Sequence, residues 1–306
     1  MAPAARHPGS RTTPAASHRP GQVQLGVFVV PDAQDPAATV ELVTLAESVG
    51  LDLVGIQDHP YQRRFLDTWA LLAFLAGRTA RIRLFPDVAN LPLRPPAVLA
   101  KAAASIDLLS DGRFELGLGA GAFWEAIEAM GGVARSPGEA VDALEEAIEV
   151  IRLMWSGERS VSYDGRHYRL AGLHPGPAPA HDIGIWLGAY GPRMMRLVGR
   201  AADGWIPSIP RLPLEEVPAR RALLEEGARE AGRDPAAIRR VANVSGRILD
   251  GPAEGLLEGP PAHWAEQLVR MRDEYGFDAF VLWAEGDQRE QIERFGREIA
   301  PALREA

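Results

Sequence analysis

No cysteine occurs among the 306 residues. That absence removes disulfides, thiolate metal sites, iron–sulfur clusters and cysteine nucleophiles together. Lysine is almost missing too: Lys101 is the only one, and it falls inside a helical stretch. A Schiff-base chemistry, or a lyase or hydrolase built on a strand-end lysine or paired carboxylates, therefore finds no footing. No His-x-His or His-Glu-x-x-His spacing occurs, so no metal is expected. No apolar run reaches the roughly 18 residues of a membrane span, so no membrane partner is expected. The net charge is −8 with no basic face, which argues against nucleic acid.

Residues 1–22 are rich in proline, alanine and serine, carry several cations and lack the apolar core of a secretory signal. They read as a disordered tail ahead of one domain over residues 23–306. Without a signal or cysteine, the expected location is the cytoplasm.

From Gln24 onward, short apolar runs alternate with helical patterns. The first run, Gln24 to Val30, ends at Pro31-Asp32. Asp35-Pro36 then supplies an N-cap and a first-turn proline for a helix that Gly50 closes. Further strand candidates are Leu51 to Ile56, Ala80 to Val88, Arg113 to Leu118, Ile183 to Gly188, Gly204 to Pro207, Ile238 to Ile248 and Phe277 to Trp283. Helices opened by Asp67, Pro95-Pro96, the capping box Ser136-Pro-Gly-Glu139, Gly191-Pro192 and Pro260 separate most of them. Between the fourth and fifth strands lies an insertion. It contains an excursion from Gly119 to Arg135, a long helix, and an alternating stretch around Asp164-Gly165 that signals a β-hairpin. Glu145, Glu146 and Glu149 on that helix read as a solvated face.

Eight continuous apolar strands, nearly all followed by helices, predict a parallel α/β sheet. An open doubly wound sheet and a closed barrel compete. Val29-Val30-Pro31-Asp32 stands where the glycine-rich dinucleotide turn of an open sheet belongs, and eight units over about 280 residues suit a (β/α)8 TIM barrel.

In such a barrel the chemistry sits at the carboxyl ends of the strands. Asp58-His59 directly follows the second strand, where an imidazole could act as general acid or base. The same pair also fits a loop that caps local backbone, and spacing alone does not choose. Gly188-Ala189-Tyr190-Gly191-Pro192-Arg193 is a strand-to-helix turn whose free N–H groups suit a phosphate, with Arg193 adding a charge. An ordinary turn with a first-position proline explains it equally well. The Gly117-Leu-Gly-Ala-Gly121 run lacks the Lys and Ser/Thr of a phosphate loop and reads as a close backbone approach to a flat ligand. Phe123 and Trp124 beyond it read as pocket wall or as lid-to-core packing.

Leu91-Pro-Leu-Arg-Pro-Pro-Ala-Val-Leu-Ala-Lys101, continuing from Asp107 to Gly121, together with Ile185 to Met194 and Ala202-Asp-Gly-Trp205, resembles the bacterial luciferase-like superfamily of flavin- or deazaflavin-dependent oxidoreductases. The resemblance runs from about Gln24 to Leu303 and implies the same barrel. It implies coenzyme F420 as the hydride carrier, with His59 as catalytic acid/base and Asp58 orienting His59 or bonding the ring. It also implies a non-prolyl cis peptide at Asp87-Val88. Val88, Ala89 and Asn90 would then lie against the central ring, Gly119, Ala120 and Gly121 along the opposite wall, and Gly188 to Arg193 at the cofactor phosphate. Sugar-phosphate-oxidising relatives place a glutamate where this chain has Ala122. With Phe123 and Trp124 beside it, the resemblance implies a larger, less polar small-molecule substrate. Two alternatives remain open. One is a two-component monooxygenase using reduced FMN and dioxygen, served by a flavin reductase. The other is a non-catalytic flavin-binding relative. The resemblance also allows a homodimer.

Overall fold

The computed structural model describes residues 23–305; the tail expected at residues 1–22 lies outside them. Strand and helix alternate from the start: β1 Gln24–Val29, α1 Pro36–Ser48, β2 Leu53–Ile56, α2 Thr68–Ala76, β3 Arg83–Pro86, β4 Ala89–Asn90, α3 Pro96–Leu109 and β5 Leu116–Gly119. An insertion follows with α4 Trp124–Ala129, α5 Pro137–Trp155, β6 Val161–Asp164 and β7 Arg169–Leu173. Alternation resumes with β8 Ile185–Leu187, α6 Pro192–Ala201, β9 Gly204–Trp205, α7 Val217–Glu230 and β10 Arg239–Ile248. It ends with β11 Glu258–Gly259, α8 Pro261–Tyr275, β12 Ala279–Ala284 and α9 Gln288–Arg294, which runs through a wider turn at Phe295–Ile299 into α10 Ala300–Glu305.

Hydrogen bonding orders the barrel strands β3-β2-β1-β12-β10-β9-β8-β5-β4, all parallel. Because β3 and β4 are two halves of one interrupted strand, the ends of that path meet and the ring closes. The fold is therefore the expected (β/α)8 TIM barrel, with its insertion between the fourth and fifth barrel strands. The interruption is the Asp87–Val88 peptide, which is cis, at the position the resemblance implied. Pairing switches there: Pro86 still pairs with Ile56 of β2, whereas Ala89 and Asn90 pair with Leu118 and Gly119 of β5.

Local chemistry explains the element boundaries. The Asp35 carboxylate accepts the Ala38 N–H at 2.9 Å, Asp67 accepts those of Trp69 and Ala70, and Ser136 and Glu139 cap each other's backbone. Each bond satisfies a donor that the first helical turn leaves without a partner. Leu53, Phe85, Trp186, Ile206, Val241, Ala279 and Val281 pack together as the barrel's inner filling. A larger apolar cluster lies between the sheet and the helices. Such filling makes the barrel a packed core, and leaves only its ends for chemistry.

Three local expectations are corrected. The excursion from Gly119 to Arg135 contains a helix, α4. The hairpin does not turn tightly at Asp164-Gly165: Asp164 pairs with Arg169 across a four-residue loop. The reason is Glu146, expected to be solvated. Its carboxylate accepts the N–H groups of Arg166, His167 and Tyr168 at 2.8, 2.8 and 3.0 Å and so organises the longer loop. Glu145 likewise pairs with Arg200 at 2.7 Å.

Candidate active site

The carboxyl ends of β2, β3–β4, β5, β8, β10 and β12 converge on one mouth. At its edge Asp58 is 2% exposed. One of its oxygens accepts the Asn90 N–H at 3.0 Å and the Arg94 Nε–H at 3.1 Å; the other accepts Arg94 Nη2 at 3.1 Å. This two-point pairing of guanidinium and carboxylate holds its geometry well. Arg94 also bonds Asp67, the N-cap of α2, at 2.8 Å, and its guanidinium lies 5.6 Å from the Trp69 ring. Asp58 thus ties the end of β2 to the turn after β4. It makes no hydrogen bond to His59, which corrects the expectation that it orients that ring: Arg94 and Asn90 already engage its oxygens.

The His59 partner is Tyr61. Nδ1 lies 2.6 Å from the Tyr61 hydroxyl, and Phe123 meets the imidazole edge-on at 5.6 Å between centroids. Burial holds His59 below the ordinary imidazole range; Asp58 opposes this and the Arg211 cation adds to it. Burial, with the charge of Asp58, pushes the Tyr61 phenol up to about 12. Phe123 takes a left-handed backbone, φ 58°, just before α4. That conformation is costly for an aromatic residue and places a ring 56% exposed at the mouth.

Asp87 points into the barrel, where its Oδ1 accepts Asn243 Nδ2 at 3.1 Å from β10. Its Oδ2 has no partner among the described residues, and neither do Asn90 Oδ1 and Asn243 Oδ1. Asp87, Asn90 and Asn243 are 7%, 6% and 6% exposed. Burial raises the Asp87 carboxyl to about 7, against the pull of the Asn243 bond.

Glycine is required where β5 passes this interruption. A Cβ on Gly117 would lie 2.1 Å from the Pro86 carbonyl oxygen, and one on Gly119 2.8 Å from the Val88 side chain. Gly121 has φ +109°, and a Cβ there would strike Pro92 and the Trp124 ring. The structure thus brings Val88, Gly119 and Gly188 together, with Gly188 also against the Val88 side chain. Because Gly119 pairs with Asn90 on the neighbouring strand, it adjoins the Val88–Asn90 segment and does not face it, which corrects the expectation of an opposite wall. Ala89 is buried and Ala120 half-buried. Trp124 closes over Gly121, and Ala122 is exposed beside it.

At the β8–α6 turn, Ala189 is buried and its carbonyl accepts Trp205 Nε1 at 2.9 Å. The Tyr190 hydroxyl accepts the Ser208 N–H at 2.9 Å. Gly191 and Pro192 open α6, and no side chain caps its first turn. The Arg193 side chain, expected at a phosphate, instead pairs with Asp142 and donates to the Gly138 carbonyl at 3.1 Å. Its guanidinium reaches the acceptors on α5 and so adds no charge at the turn itself.

Sequence reasoning missed Arg94, Tyr61 and Asn243. Arg94 lay inside the telling segment, two residues ahead of Pro96, where α3 begins. Asn243 was the one polar residue in the buried run Val241 to Val244, a signal that could have marked it.

The family model of the luciferase-like monooxygenases matches residues 11–256. The chain belongs to that family. Among curated relatives of this luciferase-like chain, an F420-dependent glucose-6-phosphate dehydrogenase of Nocardia farcinica is 32% identical over 233 residues, covering 73% of this chain and 68% of the relative. A phthiodiolone/phenolphthiodiolone dimycocerosates ketoreductase of Mycobacterium bovis is 38% identical over 203 residues, 62% of this chain and half of that protein's length. Among solved structures, an F420-dependent secondary alcohol dehydrogenase in complex with an F420-acetone adduct superposes with a TM-score of 0.83 at 20% identity. It covers 92% of this chain and 99% of that one, a likeness of fold.

Proposed function

We propose that this chain is a coenzyme F420-dependent oxidoreductase that interconverts an alcohol and a carbonyl on a fairly apolar organic substrate, with His59 as acid/base. The carrying observation is the half-buried imidazole of His59 beside a mouth framed by the bare first turn of α6 and by the unpartnered Asn90 Oδ1. Those groups fit a flat polar ring with an anionic tail. The F420 dependence of the curated relatives over most of the chain supports the same coenzyme.

When bound, the deazaflavin supplies or accepts the hydride. The protein's own work is positional and electrostatic. Val88, Ala89 and Asn90, with Gly119 paired directly beside Asn90, form one continuous wall that leads into Ala120 and Gly121, while Gly188 to Arg193 present backbone amides to the phosphate. Asp58, itself held by Arg94, fixes the wall at Asn90 by accepting that residue's backbone N–H. His59 Nε2, the ring nitrogen that Tyr61 leaves free, takes or gives the proton of the substrate oxygen. Asp87 lies beneath the cofactor wall as a carboxyl whose ionisation burial pushes up to about 7.

An apolar substrate is supported by Ala122, Phe123, Trp124 and Tyr61 on one side of the mouth. On the other, Trp283, 43% exposed, lies against Phe28 at 5.0 Å. Two copies associating through α2 and α3 belong to the same reading, since Phe74, Val98 and Leu109 on these helices are 54%, 64% and 73% exposed. Light scattering would report a single copy if that part is wrong. A cytoplasmic place is proposed with it. Among the described residues no helix is long and apolar enough to cross a membrane.

The test is anaerobic turnover with F420, read as loss of the coenzyme's visible absorbance against secondary alcohols and, separately, glucose 6-phosphate. Faster turnover of the apolar alcohols is expected. Coenzyme binding without turnover of any alcohol or ketone would favour a non-catalytic relative and defeat the proposal.

A further inference from the structure

His59 meets the mouth with one nitrogen already engaged. The Tyr61 hydroxyl lies 2.6 Å from Nδ1, the only hydrogen bond to this ring among the described residues. The three rings of His59, Tyr61 and Phe123 pack at 5.3, 5.6 and 6.1 Å, which fixes the pair in place. A phenol is an unusual partner for an acid/base histidine. A carboxylate only accepts, so it locks the Nδ1–H form and favours the imidazolium. A phenol either donates or accepts by turning its O–H. It can satisfy both neutral forms of the ring, the one protonated at Nδ1 and the one protonated at Nε2.

Burial favours a neutral ring, with the Asp58 charge opposing it and the Arg211 cation adding to it. Asp58, the adjacent anion, is engaged by Arg94 and Asn90, and Asp67 behind it is also held by Arg94. Arg211, on the loop after β9, brings positive charge toward the imidazole. The phenol is likewise held neutral, by burial and by Asp58.

We propose that Tyr61 is a positioning residue that lets His59 move a proton in either direction by exchanging its two neutral forms, without a standing imidazolium. The proposal rests on the acid/base reading of His59 above. In alcohol oxidation the substrate O–H bond breaks and its proton goes to Nε2. The carbinol C–H pair leaves as hydride to the coenzyme, and the C=O bond forms. In the same movement the Nδ1 proton passes to the Tyr61 oxygen, and the phenolic proton passes to water at the half-buried rim. Carbonyl reduction reverses each transfer: water to Tyr61, Tyr61 to Nδ1, and Nε2 to the substrate oxygen. One proton crosses the pair per hydride, and the ring charge is zero before and after.

The test uses Tyr61→Phe, which keeps the ring that packs on Phe123. In the coenzyme-free protein, nitrogen NMR of the imidazoles, with His59→Gln identifying the signals, should show both neutral forms of His59 populated. In Tyr61→Phe it should show the Nε2-protonated form alone. With coenzyme and substrate, the wild type should give a curved rate dependence on solvent deuterium fraction, the mark of more than one proton moving. Tyr61→Phe should give a straight one, with kcat lowered about 100-fold, at the low end of what a positioned proton transfer contributes, and KM little changed. Unchanged populations of the two forms in Tyr61→Phe, or an equally curved dependence, would overturn the proposal. If F420 did not bind, the functional reading would fall, while the NMR comparison would still decide the Tyr61 assignment.

Discussion

Asp87 offers a stability test that needs neither coenzyme nor substrate. Its carboxyl is 7% exposed, one oxygen holds Asn243 and the other has no partner. An ionised carboxylate there would be a buried charge with a single neutral donor, a costly arrangement. Accordingly its pKa rises from 3.8 to about 7. In the unfolded chain the group ionises near 3.8, so between that pH and about 7 the folded state binds more protons than the unfolded one. The stability this group contributes is fully present below pH 3.8 and is lost as pH rises through about 7. At about 1.4 kcal/mol per pH step, the loss is about 4 kcal/mol in all. Asp87→Asn removes the titration while keeping the shape of the side chain and an oxygen for the Asn243 amide. Urea unfolding of both proteins at pH 5 and pH 8 isolates the effect, because every other group titrates equally in the pair. The wild type should lose about 3 kcal/mol more than the variant between those two pH values, the share of the loss that falls in this window. An identical pH response in both proteins would refute the buried-charge argument.

Further outcomes follow from the same contacts. Arg94→Met leaves the buried Asp58 with only the Asn90 amide, and should cost about 3 kcal/mol in denaturant unfolding; a loss within experimental error would mean the pair holds nothing. Gly117→Ala sets a Cβ 2.1 Å from a backbone carbonyl that cannot swing aside, so thermal unfolding should show at least about 2 kcal/mol of destabilisation. His59→Gln should lower kcat about 100-fold or more while coenzyme affinity measured by titration stays the same. In alcohol oxidation the rate should fall only below pH 6.5, because burial holds the His59 pKa under that ordinary value; a fall setting in above it would contradict the environment described.

The barrel was legible because its signals are local. Caps such as Asp35, Asp67 and Ser136 act within three residues, and apolar runs mark buried parallel strands whatever lies across from them. The Asp87–Val88 interruption was legible only through family resemblance, since nothing in those two residue types demands it. Contacts across the ring were not legible: Asp87 and Asn243 are 156 residues apart, and no periodicity pairs them. Side-chain direction was the other blind spot. Arg193 stood at the right turn, yet its guanidinium reaches back to Asp142. Asp58 stood next to His59, yet it faces Arg94, while Tyr61, two residues further along the loop, turns back to the imidazole. Which neighbour a long side chain takes is set by packing that only the folded chain contains.

A deazaflavin seated in the mouth of the barrel is tested most directly by anaerobic titration of the purified protein with coenzyme F420 and, in parallel, with FMN. Saturable one-to-one binding of F420, weakened when Gly188→Val crowds the turn before α6, is the result predicted. Tight FMN binding with no measurable affinity for F420 would contradict it and move the chain to the oxygen-using branch of its family.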